Sequence, residues 1–257
     1  MSKKLFLLGL NYYGTPYELR GCIDDVNNIE AKYRHFGFND VTRVVENPIG
    51  KASDDIIPTV SNFIIAITKW IHSAKAGDLL AFHYSGHGTH QSDLNNDEAD
   101  HEDEAICLLD GNVIDDTLYT VLVTNLPSGV KLRCLFDCCH SGTIMDLPYN
   151  YLGSVQQFTT EHFVNEQFTT EQHQSDVLMI SGCRDNQTSA DAWIEANKEN
   201  EGAMTWSWLE AIASHGISWR EVLEKMRTLL AINNYDQVPQ LSLSDKTLID
   251  KQCEFTL

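Results

Sequence analysis

The 257-residue chain lacks the features that mark several classes of protein. It has no uninterrupted run of about 20 apolar residues, so we expect no membrane-spanning segment. Its 18 Lys and Arg residues are outnumbered by 37 Asp and Glu residues, which gives a net charge of −19. Such a charge argues against nucleic acid as a partner, because phosphates require clustered basic side chains. Seven cysteines without a paired spacing favour a reduced, cytoplasmic setting over a secreted one.

The N-terminal segment lacks the pattern of a signal peptide. Its apolar run covers only Leu5–Leu10, and Asn11 with two tyrosines follows where a signal peptide has a small-residue cleavage site. We therefore interpret this run as a buried first strand.

The chain does contain a regular alternation of short apolar runs and helical patterns, with enough apolar residues (42%) for the core of one α/β domain. Continuous apolar runs are typical of parallel strands covered on both faces. They occur at Leu5–Leu10, Val41–Val45, Leu79–Tyr84, Ile106–Leu109, Leu132–Phe136 and Val177–Ile180. Helical spacing occurs in Ile23–Phe36, Val60–Ile71 and Met204–Ser214, and in a helix that Ser218 and Glu221 would cap. This alternation predicts a mostly parallel, doubly wound sheet.

One polar segment interrupts the alternation. Residues 146–175 contain the sequence QFTTE twice, at 157–161 and 167–171, which is too short to define a repeat family. We interpret this segment as a surface linker within a single domain. It would divide a larger N-terminal part, residues 1–145, from a smaller C-terminal part, residues 176–257.

Two predicted strands end in unusual glycine-flanked clusters. One leads into Ser85-Gly86-His87-Gly88 and the other into Asp137-Cys138-Cys139-His140-Ser141-Gly142. Active sites of open α/β sheets lie at the carboxyl ends of strands, and a thiol near its usual pKa of about 8.5 needs a nearby imidazole to become reactive. His87 and Cys139 lie 52 positions apart. Either residue alone is more often structural, but together they predict a catalytic pair.

These clusters resemble those of the metacaspase family of caspase-like cysteine peptidases. The resemblance rests on YSGHG at 84–88 and DCCHSG at 137–142, and it extends to GCIDDV at 21–26, SGCRDNQTSADAW at 181–193, GAMTWSWLEA at 202–211 and PQLSL at 239–243. It implies a caspase-like α/β/α sandwich with a mostly parallel central sheet. It also implies that Cys139 is the nucleophile, that His87 is the general base, and that the backbone N–H groups of Gly88 and Cys139 form the oxyanion hole.

A zinc site is the alternative interpretation of Cys138, Cys139 and His140. Zinc accepts these side chains, but three adjacent residues rarely point at one ion, and no C-x₂-C pair completes the set. The peptidase interpretation is therefore favoured.

The resemblance places the specificity pocket on four residues, which are Cys22, Asp25, Ser85 and Asp137. Two carboxylates in one pocket attract a guanidinium or ammonium group and repel an acid. The expected partners are therefore polypeptide substrates with Arg or Lys at the cleaved position.

A stretch from Asp93 to Asp116 holds ten acids, and no Lys or Arg occurs from 76 to 130. Such a run is commonly a solvated loop, but it also suits a hard cation such as calcium. Calcium dependence is frequent in the family that the chain resembles. The resemblance implies four ligands, with Asp100 as an alternative to the first of them: Asp103, Asp115, Asp116 and Asp146.

The chain departs from many metacaspases in having no Pro-rich N-terminal segment and no long insert. Because no Lys or Arg lies between 134 and 183, an enzyme that cuts after basic residues would not cleave itself there. We expect a single uncut chain, and on resemblance alone a monomer.

Two alternatives remain open. One is a caspase-fold peptidase of another specificity, such as the Asn-cleaving legumain kind, although the absence of a signal-peptide pattern fits it poorly. The other is a calcium-binding regulatory module without activity, which the presence of both His87 and Cys139 disfavours.

Overall fold

The computed structural model describes residues 1–48, 53–92, 102–138, 144–154, 157–162, 176–182, 191–194, 199–214 and 216–255. The strands are β1 (Lys3–Gly9), β2 (Asp40–Val45), β3 (Leu79–Ser85), β4 (Gly88–Ser92), β5 (Glu102–Leu108), β6 (Gly111–Ile114), β7 (Lys131–Asp137), β8 (Tyr149–Ser154), β9 (Gln157–His162), β10 (Asp176–Ser181), β11 (Asp191–Ile194), β12 (Glu199–Gly202) and β13 (Gln240–Leu243). The helices are α1 (Cys22–His35), α2 (Val60–His72), α3 (Asp115–Tyr119), α4 (Ala203–Ala211) and α5 (Trp219–Ile232), with a π-helical turn at Thr120–Thr124 and a 3₁₀ turn at Lys246–Asp250.

The central sheet has eight strands in the order β2-β1-β3-β7-β10-β13-β8-β9. The first five are parallel to one another, and β13, β8 and β9 each pair antiparallel with the preceding strand in this order. Five of the six apolar runs in the sequence form these parallel strands, so the predicted mostly parallel sheet is confirmed.

Helices cover both faces of the sheet because the strand side chains alternate between two cores. Phe6 and Leu8 point into one core with α2 and α3, for example through Phe63. Leu5 and Leu7 point into the other with α1, α4 and α5. This arrangement is the expected α/β/α sandwich. Helix α5 begins with the predicted capping box between Ser218 and Glu221.

The run Ile106–Leu109 does not join the central sheet, and its assignment to the parallel strands was wrong. It forms the end of β5, which pairs antiparallel with β4 and β6 in a separate three-stranded sheet. Leu108 pairs with Gly111 across a two-residue turn. A turn this short can join only antiparallel strands, since a parallel pair needs a crossover of a dozen residues or more.

The segment 146–175 also differs from the expected surface linker. Strands β8 and β9 form a hairpin from it, and β8 pairs with β13 at the edge of the sheet. Residues 163–175, with the second QFTTE copy, lie outside the described residues. The local pattern could not predict β8, because its partner β13 lies about 90 positions later in the chain. In the parts of the chain that the structure describes, no helix is long and apolar enough to span a bilayer.

Candidate active site

The site is built where β3 and β7 end side by side. These strands are parallel neighbours, and their final residues Ser85 and Asp137 are paired in register. The N–H of Gly86 donates to the carbonyl of Asp137 at 3.3 Å, which extends the contact beyond the strands. His87 follows Ser85 by two positions, and Cys139 follows Asp137 by the same number. The register therefore places Ser85 and Asp137, from which the two segments continue, at the same edge of the sheet.

Of the two predicted catalytic residues, only His87 falls within the described part of the chain. Cys139 lies outside the described residues, as does His140. Cys138 is fully buried and belongs to the core on the α2 face of the sheet.

The carbonyl of Tyr17 sets the tautomer of the His87 ring. Nε2 of His87 lies 2.8 Å from that oxygen. A carbonyl can only accept a hydrogen bond, so Nε2 is the protonated nitrogen and Nδ1 of the neutral ring carries the lone pair. His87 is thus oriented with Nδ1 able to accept a proton from a nucleophile. Gly88, the expected oxyanion-hole donor, follows directly as the first residue of β4.

Two buried tyrosines fix the backbone of His87. The hydroxyl of Tyr12 accepts from the N–H of His87 at 2.7 Å and donates to the carbonyl of Cys107 at 2.9 Å. The hydroxyl of Tyr84 donates to the carbonyl of His87 at 2.7 Å. Burial raises the pKa of both phenols well above the usual value, so both remain protonated donors at neutral pH. Gly86 is required here, because a Cβ on it would lie 2.5 Å from the Tyr84 hydroxyl oxygen.

Tyr12 itself is held in an unusual conformation. Its φ of 55° lies in the left-handed region, which costs free energy for a residue other than glycine. The carboxylate of Glu46 accepts from the N–H groups of both Tyr12 and Tyr13, and the Tyr12 carbonyl accepts from the Thr15 hydroxyl at 2.8 Å. These contacts hold the loop that follows β1 against His87.

Three of the four predicted pocket residues, Asp25, Ser85 and Asp137, are brought together on the α1 face of the sheet, and Cys22 is the first residue of α1. Asp25 is 1% exposed and Asp137 is 5% exposed, and both Cys22 and Ser85 are buried. The hydroxyl of Ser85 donates to Oδ2 of Asp25 at 2.7 Å. Three of these residues come from sequence positions far apart, so the fold creates the cluster.

The start of helix α4 completes the acidic cluster. The N–H of Gly202 donates to Oδ1 of Asp25 at 2.7 Å. The N–H and hydroxyl of Thr205 donate to Oδ2 of Asp137 at 3.0 and 2.8 Å. A Cβ on Gly202 would lie 2.2 Å from Oδ2 of Asp137 and 2.9 Å from Oδ2 of Asp25, so the two carboxylates converge on one point. Backbone N–H groups at a helix start stabilise carboxylates in their charged form.

The predicted calcium ligands lie around the start of α3. Asp103 and Asp115 are buried, as is Glu104, so this part of the acidic run is not a solvated loop. Asp115 accepts from the N–H groups of Glu104 at 2.8 Å and Asp116 at 2.7 Å. Asp146 has a φ of 44°. Burial raises the pKa of Tyr119 to about 12, and the negative charge of Asp146 adds to this rise.

Hard oxygen donors of this kind suit calcium. Within the described ranges, however, no three His, Cys, Asp or Glu side chains converge as metal ligands. Asp100, the alternative to Asp103, lies outside those ranges. The donor chemistry therefore fits calcium, whereas the described geometry does not form a complete coordination shell.

Several residues of the site were missed by the sequence reasoning. Tyr12 and Tyr17 lie in the NYYGTPY segment after β1, and the pair of tyrosines beside a glycine was the available signal for Tyr12. Gly202 and Thr205 lie in the GAMT segment, which was quoted only as a resemblance. Their contacts with Asp25 and Asp137 span 177 and 68 positions, beyond the reach of any local pattern.

Comparison with known proteins identifies the family to which the chain belongs. A family model described as the metacaspase, peptidase C14 domain, matches residues 3–148, which include His87 and Cys139. Metacaspase-1 of Scheffersomyces stipitis is 36% identical, with 94% of this chain and 70% of that protein covered. Metacaspase-1 of Kluyveromyces lactis is 34% identical, with 99% of this chain and 68% of that protein covered.

A solved structure shares the fold of this chain. The crystal structure of a Geobacter sulfurreducens protein superposes with a TM-score of 0.70 at 27% identity, covering 100% of this chain and 99% of that one. The fold, the paired strand ends and the matched family lead to one assignment. This chain belongs to the metacaspase family of caspase-like cysteine endopeptidases, which hydrolyse polypeptide substrates.

Proposed function

We propose that this peptidase cleaves polypeptides after Arg or Lys, with Cys139 as nucleophile and His87 as general base. The single observation that carries the specificity is the convergence of the Asp25 and Asp137 carboxylates on one point beside Ser85. The paired register of Ser85 and Asp137 supports the catalytic pair, because it directs both segments to one edge.

The reaction follows from the tautomer of His87. Nδ1 of His87 accepts the thiol proton as Sγ of Cys139 attacks the scissile carbonyl carbon. The carbonyl oxygen gains the negative charge and accepts hydrogen bonds from the N–H groups of Gly88 and Cys139. When the C–N bond breaks, His87 passes the proton to the leaving amine and an acyl-enzyme remains.

Water then completes the cycle. His87 takes a proton from the water as its oxygen attacks the acyl carbon, and the C–S bond breaks to release the acid and restore the thiol. The hydrogen bond from Nε2 to the Tyr17 carbonyl stabilises the imidazolium that exists between the two proton transfers.

The acidic pocket supplies the selectivity. Each carboxylate oxygen has about two acceptor sites. Ser85, Gly202 and Thr205 donate to Asp25 and Asp137, and a guanidinium or ammonium group would be a charged donor to the same two carboxylates. An Asn side chain would offer only an uncharged amide, and an Asp side chain would bring a third negative charge into a buried site.

Four matched peptides test the proposal, differing only in Arg, Lys, Asn or Asp at the cleaved position. We expect kcat/KM for Arg and Lys to exceed that for Asn and Asp by at least about 100-fold, since charge-assisted hydrogen bonds contribute about 1.5–3 kcal/mol each. Preferred cleavage after Asn would favour the legumain-like alternative. No cleavage of any peptide would favour the inactive regulatory module.

We also propose that calcium binds near the start of α3 and promotes activity, with Asp103, Asp115, Asp116 and Asp146 as ligands. The donor chemistry of the buried acids supports this proposal. Calorimetric titration with CaCl₂ provides a readout that does not depend on activity. The double variant with Asp115→Asn and Asp116→Asn should lose the binding heat, while Asp54→Asn, at an exposed acid, should retain it. Full activity in strong chelator would contradict calcium dependence.

We further propose that the enzyme acts as a single uncut, monomeric chain in the cytoplasm. The absence of Lys and Arg between 134 and 183 supports the uncut form. Purified protein incubated with calcium should keep its 29.0 kDa band on a denaturing gel. Two fragments from a cut within 146–175 would contradict this proposal, and sedimentation velocity would test the monomer.

A further inference from the structure

A cavity of about 480 Å³ lies beside His87 and has no part in the mechanism described above. This volume falls in the range of about 300–1,000 Å³ that is typical of small-ligand pockets. The imidazole of His87 forms part of its wall, together with residues of the loop after β1 and of the turn between β5 and β6, which include Tyr12, Thr15, Tyr17, Leu108 and Leu109. A cavity of about 560 Å³ between β2 and α2 is lined by none of the site residues.

The cavity and the acidic pocket lie on opposite sides of His87. Tyr12 and Leu108 belong to the core on the α2 face of the sheet. Asp25 lies on α1, which packs on the other face, and Ser85 bonds to it from the end of β3. A substrate whose basic side chain enters the acidic pocket therefore continues past His87 toward the cavity.

The chemistry of the leaving group determines which substrate residue lies next to the imidazole. His87 returns its proton to the amine of the residue that follows the cleaved bond. Proton transfer requires that this nitrogen come within about 2.6–3.2 Å of the imidazole. The side chain of the same residue is therefore positioned beside the His87 ring, where the cavity opens.

The lining of the cavity selects for apolar side chains. Leu109 is 42% exposed and Tyr17 is 72% exposed, so both side chains are accessible at the cavity. Leu108 forms a buried part of the wall. No Lys or Arg occurs from 76 to 130, so residues 87–89 and 107–109 have no basic sequence neighbour that could pair with an acid.

We propose that this cavity is the subsite for the residue immediately after the cleaved bond, and that it takes a large apolar side chain such as Leu or Phe. The inference rests on the proposed cleavage after Arg or Lys. It adds a second selectivity to the enzyme: a basic residue before the cut and an apolar residue after it.

Internally quenched peptides test the subsite with Arg fixed before the bond and with Leu, Phe, Gly or Asp after it. We expect kcat/KM for Leu and Phe to exceed that for Gly by about tenfold or more, the discrimination that hydrophobic pockets achieve, and Asp to be the poorest. Equal rates for Leu, Gly and Asp would overturn the subsite while leaving cleavage after Arg intact. Failure to cleave any of the Arg peptides would instead overturn the proposed function, and the subsite with it.

A variant at the rim of the cavity distinguishes an effect of the cavity from the general effect of replacing an exposed apolar side chain. Leu109→Asn should lower kcat/KM for the Leu peptide about tenfold and leave the Gly peptide unchanged. Ile232→Asn is the matched control, since Ile232 is 72% exposed at the end of α5 and does not line the cavity. An equal loss for the Leu and Gly peptides in Leu109→Asn would overturn the assignment.

Discussion

The phenol ring of Tyr12 lies against the imidazole of His87, with ring centroids 4.7 Å apart and an angle of 34° between the rings. The hydroxyl of the same tyrosine accepts from the N–H of His87, 75 positions later in the chain. Tyr12 therefore orients His87, the proposed general base, through both its ring and its hydroxyl, and it acts as a positioning residue.

Tyr12→Phe should lower kcat about tenfold with little change in KM. The substitution retains the ring but leaves the buried N–H of His87 without its acceptor, which costs about 1–3 kcal/mol of stability. The measurement is kcat, normalised to the concentration of folded enzyme, and KM for an Arg peptide.

Tyr33→Phe is the matched control for that prediction. Tyr33 is 2% exposed, and its hydroxyl accepts from Nε1 of Trp208 at 3.1 Å, away from His87. It should lose stability without a change in kcat or KM of the folded enzyme. Identical kinetics for Tyr12→Phe and Tyr33→Phe would mean that Tyr12 is only structural.

Gly202→Ala should impair recognition of the basic residue. A Cβ at this position would lie 2.2 Å from Oδ2 of Asp137, so the carboxylate or the start of α4 must shift. We expect KM for Arg peptides to rise about tenfold, which corresponds to a loss of about 1.4 kcal/mol of binding. Gly111→Ala is the control, because its Cβ would meet only Val60 at 3.4 Å, an ordinary contact. Unchanged KM in Gly202→Ala would contradict the convergence of the carboxylates on the substrate site.

Neutralising either pocket acid should reduce the selectivity for a basic residue at the cleaved position while the protein still folds. Asp25→Asn and Asp137→Asn keep the side-chain shape and remove one charge each. The ratio of kcat/KM for Arg over Gln at the cleaved position should fall about 10- to 100-fold in each variant, since each carboxylate contributes a charge-assisted contact. A ratio that stays at the wild-type value in both variants would mean that Asp25 and Asp137 do not form the specificity pocket.

His83 should make the protein less stable in mild acid. It is 1% exposed on β3, and burial lowers its pKa to about 3 from the usual 6.5. Between these values the unfolded chain binds a proton that the folded chain does not. This group therefore lowers the free energy of unfolding as pH falls below 6.5, by up to about 1.4 kcal/mol per pH unit.

Urea unfolding at pH 7.5 and pH 5.0 measures this effect. The wild type should lose about 2 kcal/mol more than His83→Leu between the two values, because the variant has no imidazole to protonate. The same pH dependence in both proteins would exclude His83 as the cause.

The sequence predicted the sheet centre and the strand ends well because those features are local. Five apolar runs became parallel strands, and Ser85 and Asp137, which begin the two glycine-flanked clusters, are the last residues of β3 and β7 as expected. Asp25, Ser85 and Asp137 were placed in one pocket by resemblance, and the fold brings them together.

The remaining parts depended on contacts that no local pattern records. Ile106–Leu109 is as apolar as a central strand, yet a two-residue turn after Leu108 commits it to an antiparallel hairpin. Tyr17 contributes to the site through its backbone carbonyl, so its side-chain identity gave no signal. Gly202 is needed because two distant carboxylates converge on it, which is visible only in three dimensions.

Covalent labelling with an Arg-containing peptidyl acyloxymethyl ketone tests the central claim most directly. Such a reagent joins an attacking thiolate to a group that mimics the substrate, so it reports the nucleophile and the pocket together. We expect intact-mass spectrometry to show one added group per chain, peptide mapping to place it on Cys139, and Cys139→Ala to abolish it. The matching Asp-containing reagent should react at least about 100-fold more slowly. Labelling of another cysteine, or equal labelling by the Arg and Asp reagents, would contradict the account.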